Sequence, residues 1–333
     1  MRAEIEHRDN GVTMTDRAAP PRLLLDLGLL YAAAIWGATF FIVKDALAGV
    51  HPVPMVGYRF VICAACLVPW VLRAKNRRRH LREAAILSAL LIVLYVSQTL
   101  GLETTSASNS GFITGLFVLF VPLLMFAFFR QRPSPLHELA VALAVCGLWV
   151  LTGGLRAINR GDALTLIAAF CYAAHLLTLD RAVKRNADPL LLTFHQFWMT
   201  GLACTALAVA ARLPLGVRDG RTAGVIVFLA LFPTLSAFLV QTIAQRHTPP
   251  LKVALIFSTE PVFAALFAWT IGGETFRPAS AWGGALIVCG MVLAELARAP
   301  AERASADAAG ARTSTGARGD ARENAPGPAG SDP

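Results

Sequence analysis

Gln98-Thr99-Leu100 is followed, after a long apolar stretch, by Leu143-Ala144-Val145-Cys146-Gly147. Gln241-Thr242-Ile243 is followed, after a stretch of the same length, by Leu286-Ile287-Val288-Cys289-Gly290. Gln98 and Gly147 are 49 residues apart, as are Gln241 and Gly290, so one offset of 143 residues relates the two copies. Two apolar halves related in this way are the sequence mark of a membrane protein built around a central site. Pro122 and Pro261 depart from the pattern, missing the offset by about one helical turn.

Of the 333 residues, 56% are hydrophobic and only 15% are charged, and the mean hydropathy is +0.57. A soluble chain of this length carries roughly a quarter charged residues. Apolar runs of about 20 residues recur from Leu23 to Leu296, each long enough to cross a hydrocarbon core of ~30 Å. The runs are continuous rather than alternating, which indicates helices and not a barrel. The spans predicted are Leu23–Lys44, Val53–Leu72, Ala84–Leu102, Ser108–Phe129 and Leu136–Gly153, then Ala163–Leu179, Leu190–Ala210, Ala223–Gln245, Leu251–Ile271 and Ala279–Ala297. The fold class is therefore an all-α polytopic membrane protein of ten transmembrane helices. Residues 1–22 read as a cytoplasmic arm leading into a retained first span rather than a cleaved signal peptide, and 298–333 as a disordered cytoplasmic tail.

The net charge of +9 does not point to nucleic acid, because of where it falls. With the N-terminus in the cytoplasm, 22 Lys and Arg side chains lie on the inner side and 7 on the outer, leaving Arg59 inside a span. That asymmetry follows the positive-inside rule and predicts both termini in the cytoplasm, in a cell inner (plasma) membrane. Ten spans divide into five and five. Five is odd, so the second repeat enters the membrane from the opposite side, with Gln98 near the outer face and Gln241 near the inner one. Lys44-Asp45 against Asp180-Arg181, and Pro52 against Pro189, extend the repeat to its first two helices. The two repeats are placed at 23–153 and 163–297.

Several segments carry a resemblance. They are Trp36-Gly37-Ala38-Thr39-Phe40-Phe41, Tyr58-Arg59-Phe60, the run Gly101-Leu102-Glu103-Thr104-Thr105-Ser106-Ala107-Ser108-Asn109, Glu260-Pro261 and Gly273-Glu274. Over about residues 23–297 the chain resembles the EamA-like transporters of the drug/metabolite transporter superfamily. The resemblance implies inverted five-helix repeats around a central cavity, alternating access, and often export of amino acids, related metabolites or drugs. Arg59 has no arginine counterpart near Gln196, so the symmetry does not extend to it.

A charge at mid-membrane costs several kcal/mol, so each polar residue there needs a local account. Glu260, between Phe257 and Phe263 and directly before Pro261, is a candidate proton-coupling group or cation ligand. Its plainer role is a hydrogen-bonded lock between helices. Arg59 either neutralises a substrate carboxylate or pairs with Asp45 or Glu103, the pairing being favoured. Gln98 and Tyr95, one turn apart, and Gln241 offer uncharged donors and acceptors for a polar metabolite, or simply interhelical hydrogen bonds. Trp36, Asn109, Phe112, Tyr172 and His175 are candidates to line the same cavity. Lys44, Asp180 and Lys252 sit at span ends, where snorkelling is the default.

Other motifs carry less. Cys63 and Cys66 form a C-x-x-C without a redox setting and read, with the other four cysteines, as small packing residues. Gly111 and Gly115 form a G-x-x-x-G explained by packing within the chain. His175 and Asp180 are spaced like an acyltransferase motif but do not share a helix face, and His195-Gln196 has no metal-ligand spacing around it. There is no phosphate-binding loop, so no ATPase, and no cofactor is expected. The partners expected are a small-molecule substrate, the lipid bilayer, and a proton or an exchanged solute. The alternatives are a nucleotide-sugar, sugar or phosphate carrier, which calls for several cavity cations, and a membrane-embedded enzyme or sensor, which calls for a catalytic cluster.

Overall fold

The computed structural model describes residues 21–74, 76–129, 135–152, 158–185, 187–248, 253 and 256–293. The arm up to residue 20, the tail, and Lys252 lie outside the described residues. Every regular element among those described is helical. They are α1 (Arg22–Ala46), α2 (Pro52–Val71), α3 (Leu81–Gly101), α4 (Ala107–Gly115), α5 (Phe117–Phe129) and α6 (Pro135–Thr152). The second half contributes α7 (Arg160–Lys184), α8 (Pro189–Ala210), α9 (Gly220–His247), α10 (Glu260–Thr270) and α11 (Pro278–Leu293). Counting α4 and α5 as one interrupted span, these make ten. Six of them, α1, α2, α3, α7, α8 and α9, are long and apolar enough to cross a membrane. They are the first three spans of each half, and the shorter or interrupted helices are the last two.

Local signals set the ends. Pro52 and Pro189 open α2 and α8 at the position where a missing N–H costs nothing, behind His51 and Asp188 as caps. Asn159 and Asp162 close a reciprocal capping box at the start of α7, and Lys184 reaches back 2.8 Å to Asp180. These two devices carry α7 beyond the expected Ala163–Leu179 at both ends.

Loops after alternate spans gather at opposite ends. Arg218 N donates to Gly49 O at 2.9 Å, and the Tyr58 hydroxyl to Leu215 O at 2.6 Å. These join the α1–α2 loop and the start of α2 to the α8–α9 loop. The α3–α4 loop meets the start of α7 through Thr105 and Asp162, and the α10–α11 loop through Glu274 and Ser108. We refer to this as the Lys44 end. At the other end, Asp188 N donates to His80 Nε2 and His195 Nε2 to Arg77 O, joining the α2–α3 loop to the α7–α8 region. Arg77, Arg78 and Arg79 make this the basic end. The loop after the first helix of one half thus lies opposite the loop after the first helix of the other. This is the arrangement expected of halves that enter the membrane from opposite sides.

The two interruptions correct the expectation of unbroken spans at Ser108–Phe129 and Leu251–Ile271. The fourth span breaks at Leu116, and the ninth turns at Ser258 and Thr259 before α10 starts at Glu260. Phe117 and Glu260, the first residues after each break, are 143 residues apart. The offset therefore holds for the breaks although the prolines miss it. The breaks also touch: a methyl group built on Gly115 would run into the Pro261 ring, and one on Gly111 into Ala264. Both glycines of the G-x-x-x-G thus face α10 of the same chain. On the adjoining face of α10, a methyl group on Gly37 would come within 2.8 Å of Ala264 N and 2.9 Å of Glu260 O. Gly37→Val is therefore expected to lower the thermal midpoint of the detergent-purified protein, the cost of overpacking being about 1–3 kcal/mol. A midpoint unchanged from the wild type would show that α1 and α10 do not approach so closely.

Candidate functional site

The halves meet along an axis of aromatic rings. Residues of the first two spans recur 136 or 137 positions later, and those of the third and fourth 143 later. By this rule Trp36 corresponds to Tyr172, Phe60 to Phe197, and Tyr95 to Phe238. Each pair is in contact, with ring centroids 6.2, 5.4 and 6.3 Å apart. The contact between Phe60 and Tyr95 at 5.0 Å is repeated by Phe197 and Phe238 at 5.7 Å. Aromatic pairs favour such edge-on geometry.

A narrow cavity opens beside these rings. From α1 come Trp36, Thr39 and Phe40, and from α3 Leu94, Tyr95 and Gln98. Thr114, Tyr172, Phe238 and Glu260 complete the wall. About 30 Å³ of it is wide enough for water-sized molecules, which is room for a water or two and not for a metabolite. Gln98 Nε2 donates to Thr114 Oγ1 at 3.1 Å.

Among the described residues, Glu260 is the only carboxyl group on this wall. It is 5% exposed and stands in the first turn of α10, where backbone N–H groups favour an anion. The Tyr172 hydroxyl is its neighbour. Neither Tyr172 Oη nor Glu260 Oε2 has a hydrogen-bond partner among the described residues. Phe117, the equivalent of Glu260, stacks on the same tyrosine with centroids 4.3 Å apart. A carboxyl group within aromatic walls can take up and release a proton, or receive an ammonium group that the ring faces also attract.

Arg59 corrects an expectation. It lies neither near the surface nor beside Asp45 or Glu103, and it is 2% exposed. Its guanidinium carbon stands 5.1 Å from the centre of the Tyr95 ring, and Nη2 donates to Thr234 Oγ1 at 2.9 Å. Asp45 instead faces Arg221 at 3.3 Å. The reason is a π-helical turn in α9, Ala230–Ser236, built around Pro233. A wider turn frees backbone groups. Trp36 Nε1 donates to Pro233 O at 2.6 Å, and Cys63 Sγ lies 3.0 Å from Ala230 O. With Arg59 on Thr234 and the Tyr31 hydroxyl 2.7 Å from Ser236 Oγ, four side chains of α1 and α2 hold this turn.

Other candidates fall away from the cavity. His175 Nε2 donates to Gln196 Oε1 at 3.0 Å, behind Phe238. Gln241 is fully buried with neither side-chain polar atom bonded. Phe112 packs where Gly284 leaves room. Asn109 faces a polar vestibule of about 630 Å³ at the Lys44 end. There Lys44 does not snorkel: its ammonium group donates to the carbonyls of Leu102 and Thr105. Glu274, after Gly273 at φ +70°, caps α4 by accepting from Ala107 N, Ser108 N and Ser108 Oγ. Sequence reasoning missed Thr39, Phe40, Leu94, Thr114 and Phe238 as lining residues. The 143-residue offset from Tyr95 was a signal for Phe238; the other four carried none.

The EamA-like transporter family matches residues 23–153 and 159–296, nearly all of the membrane region. The chain belongs to the EamA-like transporter family. An uncharacterized transporter of Archaeoglobus fulgidus is 28% identical over 277 residues, covering 83% of this chain and 87% of the relative. The uncharacterized inner membrane transporter YedA of Escherichia coli K12 is 25% identical over 297 residues, covering 83% and 93%. A solved crystal structure superposes with a TM-score of 0.63 at 18% identity, covering 84% of this chain and 99% of the other, which shows the shared fold.

In this transporter the polar groups of Trp36 and Tyr172 on the cavity wall play different parts, and stability separates them. Trp36→Phe removes the bond to Pro233 O and is expected to cost about 1 kcal/mol or more in thermal unfolding. Tyr172→Phe removes a hydroxyl whose polar neighbour is Glu260 and which makes no bond to the backbone, and it is expected to shift the midpoint less than Trp36→Phe does. Equal losses for both would contradict the geometry.

Proposed function

We propose that this EamA-family protein is a secondary transporter that exports small amphiphilic metabolites, amino acids or drugs by alternating access around the central cavity. The observation that carries this reading is the Glu260–Tyr172 pair, a buried carboxyl group and a hydroxyl that meet at a cleft on the axis between the halves, where Glu260 Oε2 has no partner in a helix-to-helix bond. Glu260 acts as the coupling group, exchanging a proton or the substrate's ammonium group, and Trp36, Tyr95, Tyr172 and Phe238 enclose the apolar body of the cargo. Among the described residues no lysine or arginine lines the cleft, which disfavours the nucleotide-sugar or phosphate reading. No catalytic role is assigned, and the driving gradient is protons or an exchanged solute.

The basic end faces the cytoplasm, by the positive-inside rule, so Lys44 and the vestibule face outward. The name of the E. coli relative supports an inner-membrane location. The arm 1–22 and the tail 298–333 then lie in the cytoplasm, flanking repeats at 23–153 and 163–297.

Expression of wild type and Glu260→Gln in a transporter-deficient bacterium, with efflux of a labelled amino-acid and drug panel, tests the reading. The wild type is expected to move at least one member of the panel, and the variant to lose about tenfold or more of that flux. No movement of any substrate overturns the export reading. Equal flux between about pH 6 and pH 8 removes Glu260 as the coupling group. For orientation, a periplasmic reporter fused after Arg79 is expected to be inactive; an active one would reverse the ends.

A further inference from the structure

Eleven buried side-chain nitrogen or oxygen atoms have no bonded partner among the described residues, and seven of them lie together in one part of the fold. They belong to Asp180, Thr193, Gln196, Gln241 and Gln245, on the basic-end portions of α7, α8 and α9. Gln196 and Gln241 are 0% exposed and Gln245 1%. Gln241 and Gln245 leave both amide atoms unbonded, and Gln196 its nitrogen. Such groups are costly in a protein core and more so in a bilayer, so a cluster of them implies a partner supplied from elsewhere.

The helices bring these residues to one seam. Phe238, Gln241 and Gln245 fall on one face of α9, at successive turns towards the basic end. Phe238 touches Phe197 at 5.7 Å and His175 at 6.0 Å, and His175 bonds Gln196. Thr193 lies one turn nearer the basic end than Gln196 and Phe197. The ring of Phe238, which closes one wall of the central cavity, therefore separates that cavity from the amides behind it.

Equivalence between the halves says what this seam is. The cavity's Lys44 side is made by Thr39, Tyr95, Gln98 and Thr114. Their equivalents are His175, Phe238, Gln241 and Phe257. When a transporter of opposed halves opens to its other face, each half takes the arrangement the other had. Gln98 lines the cavity now, and Gln241 is where that exchange puts its counterpart.

We propose that Gln196, Gln241 and Gln245 form a second binding subsite, closed here behind Phe238, that opens to the cytoplasmic face. It takes an uncharged group able both to donate and to accept hydrogen bonds, such as a carboxamide, a hydroxyl pair or a peptide unit. The donors are the three amide nitrogens and the acceptors the oxygens of Gln241 and Gln245, with His175 holding Gln196 in place. The inference rests on the alternating-access reading, and the test separates the two.

In full-length protein with its six cysteines replaced, single cysteines are introduced as Gln98→Cys, Gln241→Cys and Ile243→Cys. A membrane-impermeant maleimide is then applied to right-side-out or inverted vesicles. Gln241→Cys is expected to react at least about tenfold faster from the basic face and Gln98→Cys from the opposite one, with lipid-facing Ile243→Cys inert to both. Gln241→Cys inert from both faces while Gln98→Cys reacts would overturn the subsite and leave the transporter standing. Both inert would overturn both readings. Gln245→Cys, one turn nearer the basic end, replaces Gln241→Cys if that variant does not fold. Gln241→Leu adds a readout that a packing role would not give. Transport is expected to fall about tenfold or more while the thermal midpoint holds or rises. Unchanged transport would refute the subsite.

Discussion

Two interrupted helices cross at their interruptions, and hydrocarbon tolerates a broken helix only where protein covers it. Leu116 and Ser258 mark the breaks, and both are buried. Gly115 admits the Pro261 ring at the crossing, while Gly37 lets α1 lie against the backbone that carries Glu260. α1 packs against α10 and α4, and α7 against α4 and α5, which keeps lipid from turns whose N–H and C=O groups are not paired in helical fashion. The same shelter makes it possible to hold a carboxyl group at the start of α10.

The protein's near-symmetry supplies the frame, and its departures supply the chemistry. Trp36 and Tyr172, Phe60 and Phe197, and Tyr95 and Phe238 are equivalent pairs in contact. A frame of matched rings is stable without polar groups and leaves few other places for charge. The charges stand where equivalence fails: Glu260 opposite Phe117, and Arg59 opposite Gln196. The π-helical turn in α9 is a third departure, since the matching part of α3 is regular helix. It gives Arg59 a hydroxyl to bond and Trp36 a carbonyl. A buried cation is thereby held without a carboxylate, at the cost of one irregular turn.

Much of this was legible in the sequence because it leaves marks on polar residues. Gln98 and Gln241 fixed the offset, and Glu260 stood out as a carboxyl group in an apolar run. The breaks were hidden because they follow from a crossing between distant segments, and the nearby prolines are out of register. Asn109 and His175 were misplaced because sequence spacing tells which residues share a face but not which neighbour that face meets. Arg59 was given Asp45 or Glu103 as a partner because all three were placed near the outer end of the spans. A ring face and a hydroxyl took that place instead. Phe238, one phenylalanine among 19, was marked only by the 143-residue offset from Tyr95.

The central claim is that Glu260 stands in a cleft on the axis between the halves that widens to admit substrate during the transport cycle. Carbodiimide labelling of purified protein in liposomes, mapped by mass spectrometry of the peptide containing Glu260, tests it most directly. The account predicts that Glu260 is modified and that a transported member of the efflux panel protects it as its concentration rises. Modification that saturating substrate leaves unchanged, or none at Glu260 while other carboxyl groups react, would contradict it.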